Sequence, residues 1–207
     1  MAEHVFETVG SETAYLGRIL ALRVDQVRMP HGNVAKREVI EHYGAVAIAA
    51  ISEDLHLPLI YQYRHPLGRR VWELPAGLLD EHGEDPLEAA KRELWEETGL
   101  AAQDWHVLVD AASSPGFTDE SVRIYLAQEL SDVGRPHAHD EEADLTIRWF
   151  SVEEAARMVL AGEVVNATAA AGILAAHAFA CNSFRARPSD APWHDRPTAF
   201  ADRRAPG

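Results

Sequence analysis

The chain has 207 residues, 47% of them apolar, enough to bury one substantial core as a single globular unit with appendages. Its 33 acidic residues against 19 basic ones give a formal net charge of -14, which argues against nucleic-acid partners, because a grip on phosphate backbones needs clustered Lys and Arg. An acidic protein can still act on an anionic substrate if its carboxylates hold a divalent cation that phosphate oxygens share.

The only cysteine, Cys181, excludes an intramolecular disulfide and a cysteine zinc cluster, and reads as a small buried hydrophobe in a reducing compartment. The first residues carry no basic segment followed by an apolar stretch. No run approaches the ~18 apolar residues of a bilayer span, so no membrane partner and a cytoplasmic location are expected.

In chain order, residues 1–43 hold strand candidates at Tyr15–Val24 and Val34–His42, with a turn signalled by Met29-Pro30-His31-Gly32-Asn33. They form a small antiparallel β unit. Gly44–Ile51 and Leu57–Tyr63 are apolar or aromatic runs that suit core strands. Val71–Leu74 is a short strand that stops at Pro75-Ala76-Gly77, and a loop then leads to a helix over Pro86–Thr98. Leu87, Ala90 and Leu94 would face the core, and Gly99 supplies the C-terminal stop.

Strand candidates follow at Trp105–Ala112, Val122–Leu130 and Thr146–Phe150. Ser151 with Glu154 forms a capping box that opens a helix, and a second late helix spans Ala167–Ala180. The last stretch, residues 183–207, mixes prolines with Arg and Asp without apolar periodicity. It reads as an irregular tail, either disordered or draped over a partner. No internal repeat is present.

The chemistry concentrates on the central helix. Glu93 and Glu97 are four residues apart and Glu96 is three from Glu93, so one face presents three mutually repelling carboxylates that something cationic must compensate. An oxygen-only donor set suits magnesium. A Glu-rich helix face is by default merely solvated, and the surrounding pattern decides otherwise.

That pattern is Gly77, six residues, Glu84, seven residues, then Arg92-Glu93-Leu94-Trp95-Glu96-Glu97-Thr98-Gly99-Leu100. It resembles the Nudix box, which has five residues between its Gly and its first Glu. The extra residue falls in the loop and leaves the helical spacing untouched. The resemblance implies an α+β fold, with an α/β/α sandwich around a mixed sheet over residues 44–182 and the N-terminal β unit exchanged in a homodimer. It also implies Mg2+, two or three ions per site with Mn2+ as a substitute. Glu93 and Glu97 are then the primary metal ligands, the backbone carbonyl of Ala76 completes the site, and Glu96 ligates or supports its neighbours. Arg92 and Glu84 read as an internal ion pair that orients the loop against the helix.

Four further stretches resemble the actinobacterial ADP-ribose pyrophosphatases of that family. They are Arg37-Glu38, Tyr61-Gln62-Tyr63-Arg64, Trp72-Glu73-Leu74-Pro75-Ala76-Gly77, and Ser113 to Glu120 with Pro115 at the fifteenth residue after Leu100. The implied reaction is hydrolysis of ADP-ribose, a small-molecule nucleotide, to AMP and ribose 5-phosphate. Arg37 and Arg64 would bind phosphate or stack on adenine, Glu73 would accept from ribose or adenine, and Glu38 and Ser114 join the substrate-binding set. In the dimer, Arg37 would serve the neighbouring site. The family places a base on the acidic loop His139 to Asp144. Glu142 is the choice for it, as metal ligand and catalytic residue beside Glu93, with Glu141 in reserve.

Two rival readings remain open. One is hydrolysis of another nucleoside diphosphate derivative, such as a sugar nucleotide or a dinucleotide. The other is a non-catalytic sensor of ADP-ribose or NAD metabolites, against which the intact Glu93, Glu96 and Glu97 and the negative charge both weigh.

Overall fold

In the computed structural model, the structure describes residues 4–136 and 145–204. The chain divides into two compact units, one made of Met1–Gly44, Ala112–Ser121 and Asp195–Gly207, the other of Ala45–Ala111 and Val122–His194.

The first unit is built on a three-stranded antiparallel sheet of β1 (Thr8–Leu16), β2 (Leu20–Arg28) and β3 (Val34–His42). The turn at Met29–Asn33 forms as its residues dictate: Met29 N–H donates to the Asn33 carbonyl at 2.8 Å, and Gly32 takes the left-handed φ of 85°. The apolar stretch Tyr15–Val24 is not one strand. Gly17 N–H donates to the Leu20 carbonyl at 2.9 Å, closing a tight turn that apolar residues flank on both sides and so hide in the sequence.

The end of the chain also belongs to this unit. A short helix, α4 (Ala199–Arg204), inserts a fully buried Phe200, whose ring meets Tyr43 edge-on at 4.6 Å. The stretch read as irregular therefore contains a helix. Its apolar signal is a single aromatic, too little to form a periodic pattern.

One face of the sheet buries charge. Asp25 accepts from Ser11 Oγ at 2.7 Å and from Arg23 Nε at 3.0 Å, while Glu41, 1% exposed, lies between Arg23 and Arg203. Burial alone would raise both carboxylates. The hydrogen bonds from Ser11 and Arg23 to Asp25, and from Arg203 and Arg23 to Glu41, outweigh it and hold both below the ordinary range. A depressed folded pKa contributes stability above the unfolded value of about 4, and that stability is lost as pH falls through the folded value. The first unit is therefore expected to loosen on acidification below about pH 4. A pH series of amide exchange on β3 checks this, and a Glu41→Gln variant should lower exchange protection at neutral pH and flatten its acid dependence.

The second unit holds two sheets. β4 (Ala45–Ala50), β7 (Ala76–Leu78), β8 (Leu100–Ala112), β9 (Ser121–Asp132) and β11 (Arg187–Pro188) form a five-stranded sheet in the order β11-β8-β9-β4-β7. It is mixed, because β4 runs parallel to β9 and antiparallel to β7. β5 (His56–Arg64), β6 (Arg69–Glu73) and β10 (Thr146–Ser151) form a separate antiparallel sheet in the order β10-β5-β6.

Strand alternation assigns β4 to two cores. Val46, Ile48 and Ala50 pack with Ala89, Ala90 and Leu94 of α1 (Pro86–Thr98). Ala47 and Ala49 pack with Ala155 and Met158 of α2 (Val152–Leu160) and with Ile173 and Ala176 of α3 (Ala167–Ala180). Helices thus cover both faces, the α/β/α sandwich expected from the sequence. Ser151 accepts from Glu154 N–H and Gly99 closes α1 at φ 75°, as expected from the sequence, and Asp85 caps the start of α1 by accepting from Leu87 N–H. Cys181 is exposed, against the expectation of a buried hydrophobe, because it is the C-cap residue just past α3. Among the described residues, no helix is long and apolar enough to cross a membrane.

Candidate active site

The three carboxylates of α1 do not share one environment. Pro86, Ala90, Leu94 and Glu97 follow one another at helical spacing along the buried stripe, so Glu97 takes a core position and is 8% exposed. Its compensation is local: Ala76 N–H, at the start of β7, donates to Glu97 Oε2 at 2.9 Å. Glu93 and Glu96 are half-buried, and Arg92 Nη1 donates to both, at 2.7 Å and 3.2 Å. The same guanidinium grips Glu84 with two parallel bonds of 3.0 and 2.9 Å, the predicted pair that ties the loop to the helix.

The nearby cations, Arg92 and Arg64, do not offset the burial and mutual repulsion of these carboxylates. Burial, supported by the neighbouring charges of Glu93 and Glu73, pushes Glu97 up to about 8 against the opposing Ala76 N–H and Arg64. Burial also raises Glu93, and Glu96 and Asp80 add to the shift against Arg92. Glycine makes room here. A Cβ on Gly77 would stand 2.0 Å from both Cδ and Oε1 of Glu93, so the carboxylate lies directly on the β7 backbone.

A hard divalent cation fits this donor set, since it would relieve the repulsion between Glu93 and Glu97 and accept oxygen ligands only. Among the described residues no three acidic, imidazole or thiol side chains are grouped so that they alone could hold a metal ion. Two carboxylates and a carbonyl would leave the remaining positions to water and phosphate, as magnesium prefers.

Beside this cluster, Glu73 ends β6 at 3% exposure, with its carboxylate engaged by Gln62 Nε2 at 2.8 Å, Arg64 Nη2 at 2.6 Å and Asn166 Nδ2 at 3.0 Å. Glu73 therefore anchors Arg64, whose side chain remains 45% exposed. Asn166 and Gln62 were missed by sequence reasoning. Asn166 carries a readable signal as the N-cap of α3, accepting from Ala169 N–H at 2.9 Å, but nothing local announces a partner 93 residues away.

Ala76, Glu93, Glu96, Glu97, Arg64 and Glu73 thus fall within the second unit. Arg37, Glu38 and Ser114 belong to the first. Arg37 and Glu38 are exposed on β3, with Arg37 donating to the Lys36 carbonyl at 2.8 Å, and Ser114 is half-buried, its carbonyl accepting from Phe117 and Thr118 N–H. Glu141 and Glu142 lie outside the described residues.

Comparison with known proteins meets this geometry from a different direction. Residues 41–169 match the model of the NUDIX domain, and residues 6–40 match that of the nucleoside diphosphate sugar hydrolase N-terminal domain. The chain is 60% identical to an ADP-ribose pyrophosphatase of Mycobacterium tuberculosis over 205 residues, covering 99% of both chains. It is 37% identical to an ADP-ribose pyrophosphatase of Bacillus subtilis, covering 81% of this chain and 90% of that one. A methanol dehydrogenase activator of Bacillus methanolicus is 39% identical over 74% of this chain and 82% of its own. A crystal structure of an ADP compounds hydrolase superposes with a TM-score of 0.75 at 21% identity, covering 89% of this chain and 99% of that one, and so shares the fold. With a carboxylate helix of this spacing, a mixed sheet between helices and a matching domain over most of its length, the chain belongs to the Nudix hydrolase superfamily.

Proposed function

We propose that the protein hydrolyses the pyrophosphate of ADP-ribose, releasing AMP and ribose 5-phosphate, with magnesium as the cofactor. The observation that carries the reaction is the pair of half-buried Glu93 and buried Glu97 set against the Ala76–Gly77 backbone. The substrate follows from the relative that is 60% identical over nearly the whole chain.

Magnesium, when bound, neutralises the diphosphate and makes the attacking water more acidic. Glu93 and Glu97 would hold it with the Ala76 carbonyl, and Glu96 would support them. Arg92 keeps the carboxylate cluster oriented by bridging Glu84, Glu93 and Glu96. Arg64, anchored by Glu73, would bind phosphate or adenine, and Arg37, Glu38 and Ser114 are further substrate contacts in this reading, Arg37 serving the neighbouring site of the dimer. Glu142 takes the proton of the attacking water, so Glu142→Gln is expected to reduce kcat by about a hundredfold with KM little changed, read by steady-state kinetics.

The same reading makes the protein a cytoplasmic homodimer. Exposed apolar side chains on and around the N-terminal sheet, among them Phe6, Val9, Tyr15, Leu16 and Val34, favour a second copy of the chain as partner, and light scattering on the eluted protein tests it.

The deciding assay incubates the protein with ADP-ribose and magnesium, with and without chelator, beside ADP-glucose, NADH and a diadenosine polyphosphate. Fastest release of AMP and ribose 5-phosphate from ADP-ribose, abolished by chelator, is the expected result. Faster turnover of another substrate overturns the specificity, and binding of ADP-ribose without cleavage overturns the activity.

A further inference from the structure

We propose that the C-terminal segment 195–204 is a positioning element of the nucleotide site, with Arg203 and Phe200 fixing β3 and the loop at 112–121; this rests on reading Arg37, Glu38 and Ser114 as substrate contacts. The three parts form one compact unit although they come from the beginning, middle and end of the chain.

β3 supplies the geometry. Alternation puts Arg37, Val39 and Glu41 on one face, opposite Asp25, Arg23 and Ala21 of β2. Arg203 reaches that face from α4, with Nη2 donating to Glu41 Oε1 at 3.0 Å, Nε donating to Glu41 Oε2, and Nη1 donating to Thr13 Oγ1 of β1 at 3.1 Å. Glu41 is almost fully buried, and its other cation, Arg23, is shared with Asp25. Without Arg203 that carboxylate is under-compensated, and β3 must shift to hydrate it. Phe200 against Tyr43 and Pro197 against Gly44 pin the next two residues after β3.

The loop hangs on the two residues that flank Glu41. Ile40 N–H donates to the Phe117 carbonyl at 2.7 Å, Asp119 N–H to the Ile40 carbonyl at 3.1 Å, and His42 N–H to Asp119 Oδ1 at 2.9 Å. Glu41, the residue Arg203 clamps, sits between Ile40 and His42. Displacing it disturbs both Ser114 on the loop and Arg37 four residues along the strand, while the α1 carboxylates belong to the other unit. The clamp should therefore govern nucleotide affinity and leave the metal chemistry alone.

The test compares wild type, Arg203→Met, Arg203→Lys and Phe200→Leu by steady-state kinetics, magnesium titration and amide exchange. The substrate is whichever compound of the panel above the wild type hydrolyses best, so a failure of the ADP-ribose assignment leaves this test intact. Arg203→Met is expected to raise KM about tenfold with kcat and the magnesium requirement within about twofold, and to speed exchange at Ile40 and Asp119. Arg203→Lys should recover part of the loss, and Arg203→Met in a Glu41→Gln background should add little. An unchanged KM despite faster exchange, or a fall in kcat at constant KM, overturns the proposal. If Arg203→Met does not fold, an unchanged KM in both Arg203→Lys and Phe200→Leu does the same.

Discussion

Glu93→Gln is expected to reduce kcat by about 10^2- to 10^3-fold while leaving the metal-free protein at least as stable as wild type. The two halves of that expectation come from one cause. Burial already works against ionisation of Glu93, with Glu96 and Asp80 adding to the penalty. A neutral amide of the same shape removes the penalty and can still accept from Arg92 Nη1, so folding loses nothing. What disappears is the charge that would attract a cation to the carboxylates of α1. Thermal melting in chelator and kinetics in magnesium separate the two effects. A rate close to wild type would remove Glu93 from the site, and a large drop in melting temperature would mean that its charge serves the fold instead. The opposite signs are those of a residue kept for activity at a cost in stability.

The elements that sequence made legible are those with local causes. α1 is announced by Pro86 at one end and Gly99 at the other, and Arg92 and Glu84 read as an ion pair from the sequence. The core strands followed from apolar runs, and β4 fits because both of its faces are covered. What remained hidden depends on distant partners. The link from Asn166 to Glu73 and the clamp from Arg203 to Glu41 join residues far apart in the chain, and each residue alone reads as a polar side chain facing solvent. The tail misled because scattered contacts, rather than a periodic pattern, attach it: the short pairing of Arg187–Pro188 with β8, the Arg123 bonds to the Ala191 and Pro192 carbonyls, buried Phe200 and Arg203. The assignment of Glu142 rests on resemblance alone, since it lies outside the described residues.

Gly77→Ala is expected to cost about a hundredfold in kcat/KM and to raise the magnesium concentration needed for half-maximal rate, with little change in melting temperature. The added methyl would stand 2.0 Å from Glu93 Cδ and Oε1 and 2.6 Å from Cγ, distances no real contact tolerates. The obstructing atoms are the far end of a flexible side chain. Gly77 does not hold the left-handed φ that disfavours other residues, so β7 can keep its pairing with β4 while Glu93 swings aside. The damage then falls on the position of one carboxylate, and a displacement of about 1 Å at a reacting centre is enough for a loss of this size. Gly99→Ala is the contrasting case. There φ is 75° and the new Cβ would meet the backbone nitrogen of Arg135 at 2.7 Å, so stability should fall. Measured side by side, the two alanines separate a glycine that makes room for a ligand from a glycine that ends a helix. A Gly77→Ala enzyme with wild-type rate and magnesium dependence would show that the carboxylate of Glu93 need not lie against β7 for the reaction to proceed.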